Sequence, residues 1–312
     1  MAEYKSKVLI IGSGPAGYTA GIYAARSGLR PILVSGNQVG GQLTITTDVE
    51  NFPGFADPIS GAELMQQMKQ QALNVGVQFV EDFIVEVDFA NRPFVCSSEK
   101  NNVFIADSII ISTGASARWL DIPSELKYRG FGVSGCATCD GFFYRGKDVA
   151  VVGGGNTAAE EALHLTNFAN SVTIIHRRDT LRADQSLQKK LSQNNKIRIE
   201  WDSVVEEVLG SENPLSVTGI KIKNVKTDIT KTLKVDGVFI AIGHHPNTEL
   251  FKEQLALTPE GYIITAPDSC QTNIEGIFAA GDVQNPNFRQ AVVAAGSGCI
   301  AALEAEKFLN GN

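Results

Sequence analysis

The chain has 312 residues, of which 43% are hydrophobic and 20% are charged. This composition is typical of a globular protein with about two domains. The formal net charge of −7 offers no general attraction to a nucleic acid or an anionic membrane. No apolar run approaches the roughly 18 residues of a membrane span, and no signal peptide is recognisable. We therefore expect a cytoplasmic protein with no membrane or nucleic-acid partner.

The first recognisable unit is a buried strand, a glycine-rich turn and a helix. The apolar run 8–11 leads into the turn, and alanines then recur at helical spacing until Gly28. Such a turn lets a pyrophosphate approach the backbone at the positive end of a helix. It predicts a dinucleotide site at Gly12, Ser13, Gly14, Pro15, Ala16 and Gly17. The next strand, 31–34, ends at Ser35 instead of the usual acidic residue, although a serine can still hydrogen-bond a ribose.

Residues 36–55 are rich in glycine, threonine and asparagine and have no clear periodicity. We interpret them as an ordered loop that either holds a ligand or simply covers the surface. Ser60 and Glu63 then form a capping-box pattern, which predicts a helix ending near Gly76. Further on, the apolar run 108–112 predicts a returning strand that ends at Gly114.

Two cysteines three residues apart, Cys136 and Cys139, are followed directly by Asp140. The cysteines can close a small disulfide ring, and the carboxyl group can exchange the protons that thiol–disulfide steps require. Five cysteines with one close pair do not resemble a secreted disulfide framework, so we expect this pair to be redox-active. A structural zinc site needs about four ligands, and no second cysteine pair exists, so we expect no metal.

The strand–turn–helix pattern occurs a second time, starting at Val149. Its turn contains Gly153, Gly154, Gly155, Asn156, Thr157 and Ala158. The strand that follows ends in His176, Arg177 and Arg178, with Arg182 four residues further on. Arginines at this strand end suit the 2′-phosphate of NADP, whereas an acidic residue would favour NAD. We therefore predict an NADPH site, with a solvated basic patch as the alternative.

These motifs together resemble the low-molecular-weight, bacterial-type thioredoxin reductases along essentially the whole chain. The resemblance rests on the order and spacing of the two glycine turns, the cysteine pair and several shorter stretches. Those stretches are Gly40–Leu43, Glu50–Gly54, Gly243–Asn247, Gly281–Asp282 and Arg289–Ala291. The resemblance implies an α/β fold with two Rossmann-like dinucleotide-binding domains, the NADPH domain being inserted into the FAD domain. The FAD domain would comprise residues 1–117 and 246–312, the NADPH domain residues 118–245, and the assembly would be a homodimer.

The resemblance also assigns roles to residues. The first glycine turn would hold the FAD pyrophosphate, and Gly41, Gln42, Asn51, Asp282, Arg289, Gln290 and Ala291 would line the flavin. Further cofactor-binding candidates are Ser35, Gly36, Gly40, Leu43, Gly114, Gly243 and Gly281. Electrons would pass from NADPH through FAD and the cysteine pair to the disulfide of thioredoxin or a similar small protein. Cys139 would face the flavin, Cys136 would attack the partner, and Asp140 would act as acid/base or serve merely as a turn residue.

The nicotinamide, the cysteine pair and the protein partner cannot all be served by one rigid arrangement of the domains. The family solves this by rotating the NADPH domain, and we expect hinges near Ala117 and 243–246. The phenylalanines Phe131, Phe142 and Phe143 form either a docking surface or ordinary core.

Three other functions compete with this interpretation, and the sequence argues against the first two. A peroxiredoxin-system reductase shares this body but carries additional thioredoxin-like domains before it, whereas here the first strand begins near residue 7. A ferredoxin–NADP reductase lacks the cysteine pair. A dinucleotide-binding redox sensor would have the same motifs without turnover.

Overall fold

The computed structural model describes residues 2–45 and 48–311 and divides into two compact units. The split unit contains the chain up to Ser116 and from His245 onward, and the inserted unit contains Ala117–His244. Within the described residues, no helix is both long and apolar enough to cross a membrane. Thr46 and Thr47, which belong to the loop expected at 36–55, lie outside the described residues.

The split unit contains the following helices and strands in chain order. They are β1 (Glu3–Ile11), α1 (Pro15–Arg26), β2 (Ile32–Val34), β3 (Asp48–Val49), β4 (Ile59–Ser60), α2 (Gly61–Asn74), β5 (Gln78–Val80), β6 (Ile84–Asp88), β7 (Phe94–Ser98) and β8 (Val103–Ile111). The strand β9 (Ala115–Ala117) leads out of this unit.

The inserted unit continues with α3 (Pro123–Tyr128), β10 (Val133–Ser134), α4 (Ala137–Asp140), β11 (Asp148–Val152), α5 (Asn156–Leu165), β12 (Ser171–Ile175), α6 (Gln185–Gln193), β13 (Ile197–Glu200), β14 (Ser203–Glu212), β15 (Leu215–Asn224), β16 (Thr230–Leu233) and β17 (Gly237–Ile240). The chain then returns through β18 (His244–Pro246) to β19 (Ile277–Ala279) and α7 (Ala291–Asn310).

The main sheet of the split unit has the strand order β5-β2-β1-β8-β7-β6, with β19 also pairing with β8. The strand β1 lies between β2 and β8 and is parallel to both. Its residues alternate between two hydrophobic cores, since Val8 and Ile10 pack on one face and Leu9 and Ile11 on the other. Both faces are thus covered, which explains why the strand reads as a continuous apolar run.

The main sheet of the inserted unit has the order β10-β17-β11-β12-β13, and its strands are parallel. Its central strand β11 again alternates between two cores, with Val149 and Val151 on one face and Ala150 and Val152 on the other. A separate antiparallel sheet follows, with the order β14-β15-β16. The repeated strand–turn–helix–strand unit confirms the expected α/β class with two Rossmann-like folds.

Candidate active site

The first glycine turn connects β1 to α1, and its tightness requires glycine at two positions. Gly12 has a φ of +109°, and a Cβ there would lie 2.3 Å from the carbonyl oxygen of Ser112. A Cβ at Gly17 would lie 1.9 Å from the carbonyl oxygen of Gly12. The Ser112 side-chain oxygen lies 3.0 Å from the carbonyl oxygens of Ile11 and Gly12, to which it can donate. The backbone of the turn therefore packs directly against neighbouring backbone, and no residue larger than glycine fits at Gly12 or Gly17.

Gly14, between those two glycines, is in a different situation. It is the N-cap of α1 with a φ of −74°, and among the described residues no side chain caps this helix. Beyond its chain neighbours, a Cβ at Gly14 would meet no described atom within 4 Å. The first turn of α1 thus presents backbone N–H groups to open space, which suits the pyrophosphate of a dinucleotide.

The loop at Gly40 and Gly41 passes beside this turn. A Cβ at Gly41 would lie 3.3 Å from the Cα of Gly14, and the Gly40 N–H donates to the Ser13 hydroxyl at 3.1 Å. Ser13 in turn donates to the Ser35 carbonyl at 2.7 Å. Ser35 is buried, and its hydroxyl lies 2.9 Å from the Gly36 carbonyl oxygen. The hydroxyl hydrogen of Ser35 therefore has an acceptor within the protein, and its oxygen retains lone pairs for a ribose.

The segment before α7 approaches the same turn from the C-terminal part of the chain. A Cβ at Gly281 would lie 3.0 Å from the Cβ of Ala16, which places Asp282 next to the start of α1. Burial raises the pKa of Asp282 to about 6, and Arg289 opposes that rise. Asn51 donates to the Gln290 side chain at 3.3 Å. The Gly281–Asp282 segment, far along the chain, therefore lies beside this open helix terminus.

The other predicted cofactor-binding residues of the split unit are held by contacts away from the start of α1 or by their backbone conformation. Gly114 has a φ of +71°, and its carbonyl accepts a hydrogen bond from the Asn247 N–H at 3.0 Å. Gln42 is exposed and donates to the Gln38 side chain at 3.3 Å, whereas Leu43 packs against the core. Gly36 has a φ of +79°, and Arg289 donates to the Pro286 carbonyl.

The second glycine turn, between β11 and α5, repeats the geometry of the first. A Cβ at Gly153 would lie 2.3 Å from the Ala241 carbonyl oxygen and 2.8 Å from the Cβ of Ala158. Gly155 is the N-cap of α5, no described side chain caps it, and beyond its chain neighbours a Cβ there would meet no described atom within 4 Å. This open helix terminus also suits a pyrophosphate. Asn156 is held beside it by two hydrogen bonds with Asp184, each 2.9 Å long.

The residues at the end of β12 divide into two groups. His176 is buried, its Nε2 lies 2.9 Å from the Thr180 carbonyl oxygen, and its ring would lie about 2.1 Å from a Cβ at Gly154. His176 thus packs against the glycine turn at Gly154. Arg177, Arg178 and Arg182, by contrast, are exposed, and the described residues place no carboxylate in an ion pair with any of them. Three free guanidinium groups next to an open helix terminus fit a phosphate monoester. Gly243, with a φ of +101°, ends the neighbouring strand region.

Cys136 and Cys139 form a disulfide at the start of α4. Cys136 is the N-cap of this short helix, and its Sγ accepts the Cys139 N–H at 3.2 Å. In the reduced pair, the same N–H would stabilise a Cys136 thiolate, because a hydrogen bond to the charged form favours it. Both cysteines are partly exposed.

Asp140 follows the pair in the same helix turn. Burial raises the pKa of Asp140, and a hydrogen bond with the Ser134 side chain opposes that rise. A carboxyl group with a raised pKa keeps its proton to higher pH and can give it to a leaving thiolate. Ser134 was not singled out from the sequence, although a polar residue two positions before the first cysteine was visible there.

The aromatic residues around the pair lie at the surface. Phe131, Phe142 and Phe143 are 49%, 52% and 37% exposed. The Phe142 ring contacts Phe143 and Phe168 edge-on, with centroids 6.3 and 6.1 Å apart, and Arg145 lies over it at 5.2 Å. These side chains are therefore not ordinary core.

A disulfide of this kind, in one unit with a dinucleotide-type turn, is the arrangement of a nucleotide-dependent disulfide oxidoreductase. The comparison with protein families agrees with that class. The model described as pyridine nucleotide-disulphide oxidoreductase matches residues 6–298, and the chain belongs to this family.

Individual relatives and solved structures show which members of this family the chain resembles. The chain is 61% identical to a thioredoxin reductase of Rickettsia bellii over 98% of both chains. It also resembles the structure of thioredoxin reductase from Giardia duodenalis, with 42% identity, a TM-score of 0.94 and coverage of 98% of this chain and 99% of that one. A relative from Pseudomonas fluorescens named glucosaminate ammonia-lyase is 50% identical over 98% of this chain and 96% of its own. The resemblance to thioredoxin reductases is thus confirmed.

Proposed function

We propose that this protein is an NADPH-dependent thioredoxin-disulfide reductase. The observation that carries the proposal is the Cys136–Cys139 disulfide, which lies at the start of a helix in the unit that also holds the second glycine turn. The cofactors are FAD and NADPH. When bound, they supply the two electrons that reduce this disulfide to a dithiol.

The two open helix termini are the proposed cofactor sites. The start of α1 at Gly14, with Asp282 and the 40–43 loop beside it, would hold FAD. The start of α5 at Gly155, with the exposed Arg177 and Arg178, would hold NADPH. The split unit would then be the FAD domain and the inserted unit the NADPH domain. Rotation of the inserted unit about hinges near 117 and 243–246 remains a prediction.

The reduced pair can carry out the exchange with its own groups. The Cys136 thiolate attacks one sulfur of the partner disulfide, so that a mixed disulfide forms and the partner's second sulfur leaves as a thiolate. Asp140 can supply the proton that this leaving thiolate takes up. Cys139 then gives its proton to Asp140 and attacks the sulfur of Cys136. The partner's first sulfur leaves as a thiolate and takes up that proton, and the Cys136–Cys139 disulfide is restored. The partner gains two electrons and two protons.

The exposed aromatic group next to the pair is the proposed docking surface for thioredoxin. Phe142 and Phe143 offer apolar contact area, and Arg145 adds a positive charge over the Phe142 ring. Aromatic and arginine side chains dominate the binding energy of many interfaces. Replacing Phe142 with alanine should therefore raise the KM for thioredoxin while leaving the reaction with a small disulfide unchanged.

The homodimer is proposed from a surface of the split unit. Val292, Ile300 and Leu303 are exposed apolar residues on one face of α7, and the exposed Tyr23 of α1 hydrogen-bonds to Cys299 of the same helix. An apolar face of this kind on two packed helices marks an interface, and a second copy of the chain is the occupant that we propose. Sedimentation velocity tests this. Ile300→Glu should give monomers, whereas Ile229→Glu, at an exposed apolar residue of the inserted unit, should not.

The reductase itself is tested by steady-state NADPH oxidation with oxidised thioredoxin. We expect turnover that prefers NADPH over NADH and disappears in Cys139→Ser, with Cys299→Ser as the matched control at a free cysteine. NADPH-dependent reduction of the protein without turnover of any disulfide protein would favour a redox sensor. Release of ammonia from glucosaminate that survives in Cys139→Ser would instead favour the activity in the name of the Pseudomonas fluorescens relative, since that elimination transfers no electrons to a disulfide.

A further inference from the structure

The segment Gly281–Asp282 is a tight turn that packs against the first and last helices of the split unit. Gly281 is buried with a φ of +79°, and a Cβ there would lie 3.0 Å from the Cβ of Ala16 and 3.6 Å from that of Ala294. The two helices are close together at this place, since a Cβ at Gly298 of α7 would lie 2.1 Å from the Ala16 carbonyl oxygen. The turn therefore contacts both α1 and α7.

Ser297 of α7 holds the backbone of this turn through its side chain. Its hydroxyl oxygen accepts the Gly281 N–H at 2.8 Å, and its hydroxyl hydrogen is donated to the Ala294 carbonyl at 2.8 Å. The N–H group can only donate and the carbonyl can only accept, so both directions are fixed by the partners. The Ser297 carbonyl also accepts the Cys270 thiol at 3.3 Å. Ser297 is thus held by hydrogen bonds at its side chain and at its backbone.

The Gly281 N–H depends on this one hydroxyl. Within the residues that the structure describes, no other acceptor bonds to it. A buried N–H group without an acceptor is unfavourable, so loss of the hydroxyl would make the turn move until the group reaches water. Asp282 is the next residue, and its side chain would move with the turn.

We propose that Ser297 is a positioning residue, which fixes the Gly281–Asp282 turn before FAD binds and thereby sets the affinity for FAD. Asp282 is the residue that we place beside FAD, and Ser297 acts only through the turn. The inference rests on the proposed FAD site at the start of α1, next to which this turn lies. It deepens the proposed function by giving that site a supporting residue outside the sequence motifs.

The first experiment measures the dissociation constant of FAD by dilution of the holoenzyme and ultrafiltration of the released flavin. Ser297→Ala should raise this constant about 5- to 30-fold, because FAD then has to bring the displaced turn back and bury an unpaired Gly281 N–H. Ser297→Thr keeps the hydroxyl, and a helical threonine can bond a carbonyl three residues before it, so this variant should restore the wild-type constant. Wild-type affinity in Ser297→Ala, or a loss that Ser297→Thr does not reverse, overturns the proposal.

The matched control removes a different hydrogen bond between the same two helices. Ser27, at the end of α1, donates to the Glu306 carboxylate of α7 at 2.7 Å. Ser27→Ala should leave the dissociation constant of FAD unchanged, because this contact does not involve the turn. An equal loss of affinity in Ser27→Ala would also overturn the proposal, since the effect would then belong to the packing of the helices.

The second experiment uses the unsubstituted chain, so it does not depend on the folding of a variant. Labelling alanine with ¹³C at the carbonyl and glycine with ¹⁵N selects the amides of Ala–Gly pairs. The sequence contains four such pairs, which are Ala16–Gly17, Ala20–Gly21, Ala280–Gly281 and Ala295–Gly296. In the apoprotein, the Gly281 amide should already be protected from solvent exchange, as Gly21 inside α1 is, because its acceptor belongs to the chain. A Gly281 amide that exchanges like an unstructured chain until FAD is added overturns the proposal.

Neither readout requires turnover of a disulfide protein, so the inference and the proposed function fail separately. If FAD affinity is unchanged in Ser297→Ala while NADPH-dependent thioredoxin reduction is intact, the inference fails and the proposed function stands. If wild-type turnover is absent while Ser297→Ala weakens FAD binding and Ser297→Thr restores it, the inference stands and the reductase function fails.

Discussion

Gly14 and Gly17 belong to the same glycine turn, but replacing them with alanine should change different properties. The change at Gly17 should lower stability, whereas the change at Gly14 should weaken FAD binding. A Cβ at Gly17 would lie 1.9 Å from the Gly12 carbonyl oxygen, so the backbone has to move by more than an ångström. Overpacking of this kind costs about 1–3 kcal/mol or more. At about 2–4 °C per kcal/mol for a unit of this size, Gly17→Ala should lower the unfolding midpoint of the apoprotein by about 2–12 °C.

Gly14→Ala should leave the apoprotein folded but weaken FAD binding. Its φ of −74° is accessible to alanine, and beyond its chain neighbours the new Cβ would meet no described atom. The loss at the N-cap is about 1 kcal/mol or less. The same Cβ would occupy the space in which we place the pyrophosphate. A clash of about 1–3 kcal/mol there would weaken FAD binding by about 5- to 150-fold.

Thermal unfolding of the apoproteins and calorimetric titration with FAD measure both effects. Gly155→Ala is the matched control, because it makes the equivalent change at the second turn and should weaken NADPH binding while leaving FAD binding intact. Wild-type FAD affinity in Gly14→Ala would refute the placement of the pyrophosphate at the start of α1. An unchanged unfolding midpoint in Gly17→Ala would refute the steric argument.

Three further predictions follow from single side chains. Arg178→Ala should raise the KM for NADPH by about 10- to 100-fold and leave the KM for NADH unchanged, and equal effects on both would exclude a 2′-phosphate contact. Glu125 is fully buried and bonded to Arg129 at 3.1 Å, so Glu125→Ala should cost about 3–5 kcal/mol in urea unfolding, and a loss below about 1 kcal/mol would contradict this. Burial raises the pKa of Asp282 to about 6, above its unfolded value of about 3.9, so stability falls as pH rises between these values. Apo Asp282→Asn should therefore be more stable than wild type at pH 7 by about 1–3 kcal/mol, with no difference below pH 4 in acid-to-neutral urea titrations.

Local patterns in the sequence were sufficient to predict the two strand–turn–helix units. The run 8–11 is apolar throughout because both faces of β1 are covered, and this leaves a signal in consecutive residues. The helix predicted from Ser60 and Glu63 is present as α2, with the Glu63 N–H bonded to the Ser60 hydroxyl at 3.2 Å. The returning strand predicted from the run 108–112 is the second half of a longer strand, β8, because β8 pairs with β1 along its whole length.

Contacts between distant residues left no such signal. Asn51 and Gln290 are 239 positions apart and meet through one hydrogen bond. A Cβ at Gly298 would lie 2.1 Å from the Ala16 carbonyl oxygen, so α7 crosses α1 at a distance that depends on this glycine. In the sequence, Gly298 is simply one small residue in an alanine-rich helix. Gly298 is required because α7 packs closely against α1 at this position. The residue pattern within either helix does not reveal where the two helices cross.

In the proposed assignment, the same local structure serves two different cofactors at the two turns. Both end in an N-cap glycine with open space before it, so neither turn distinguishes FAD from NADPH. The difference lies at the end of the second strand. Ser35 is buried, with its hydroxyl directed to backbone carbonyls, and leaves that strand end without a charged group of its own. In the second copy, His176 is buried in the equivalent place, and Arg177 and Arg178 remain free at the surface. In the proposed NADPH site, the exposed arginines would select the phosphorylated ribose, while His176 packs against the turn at Gly154.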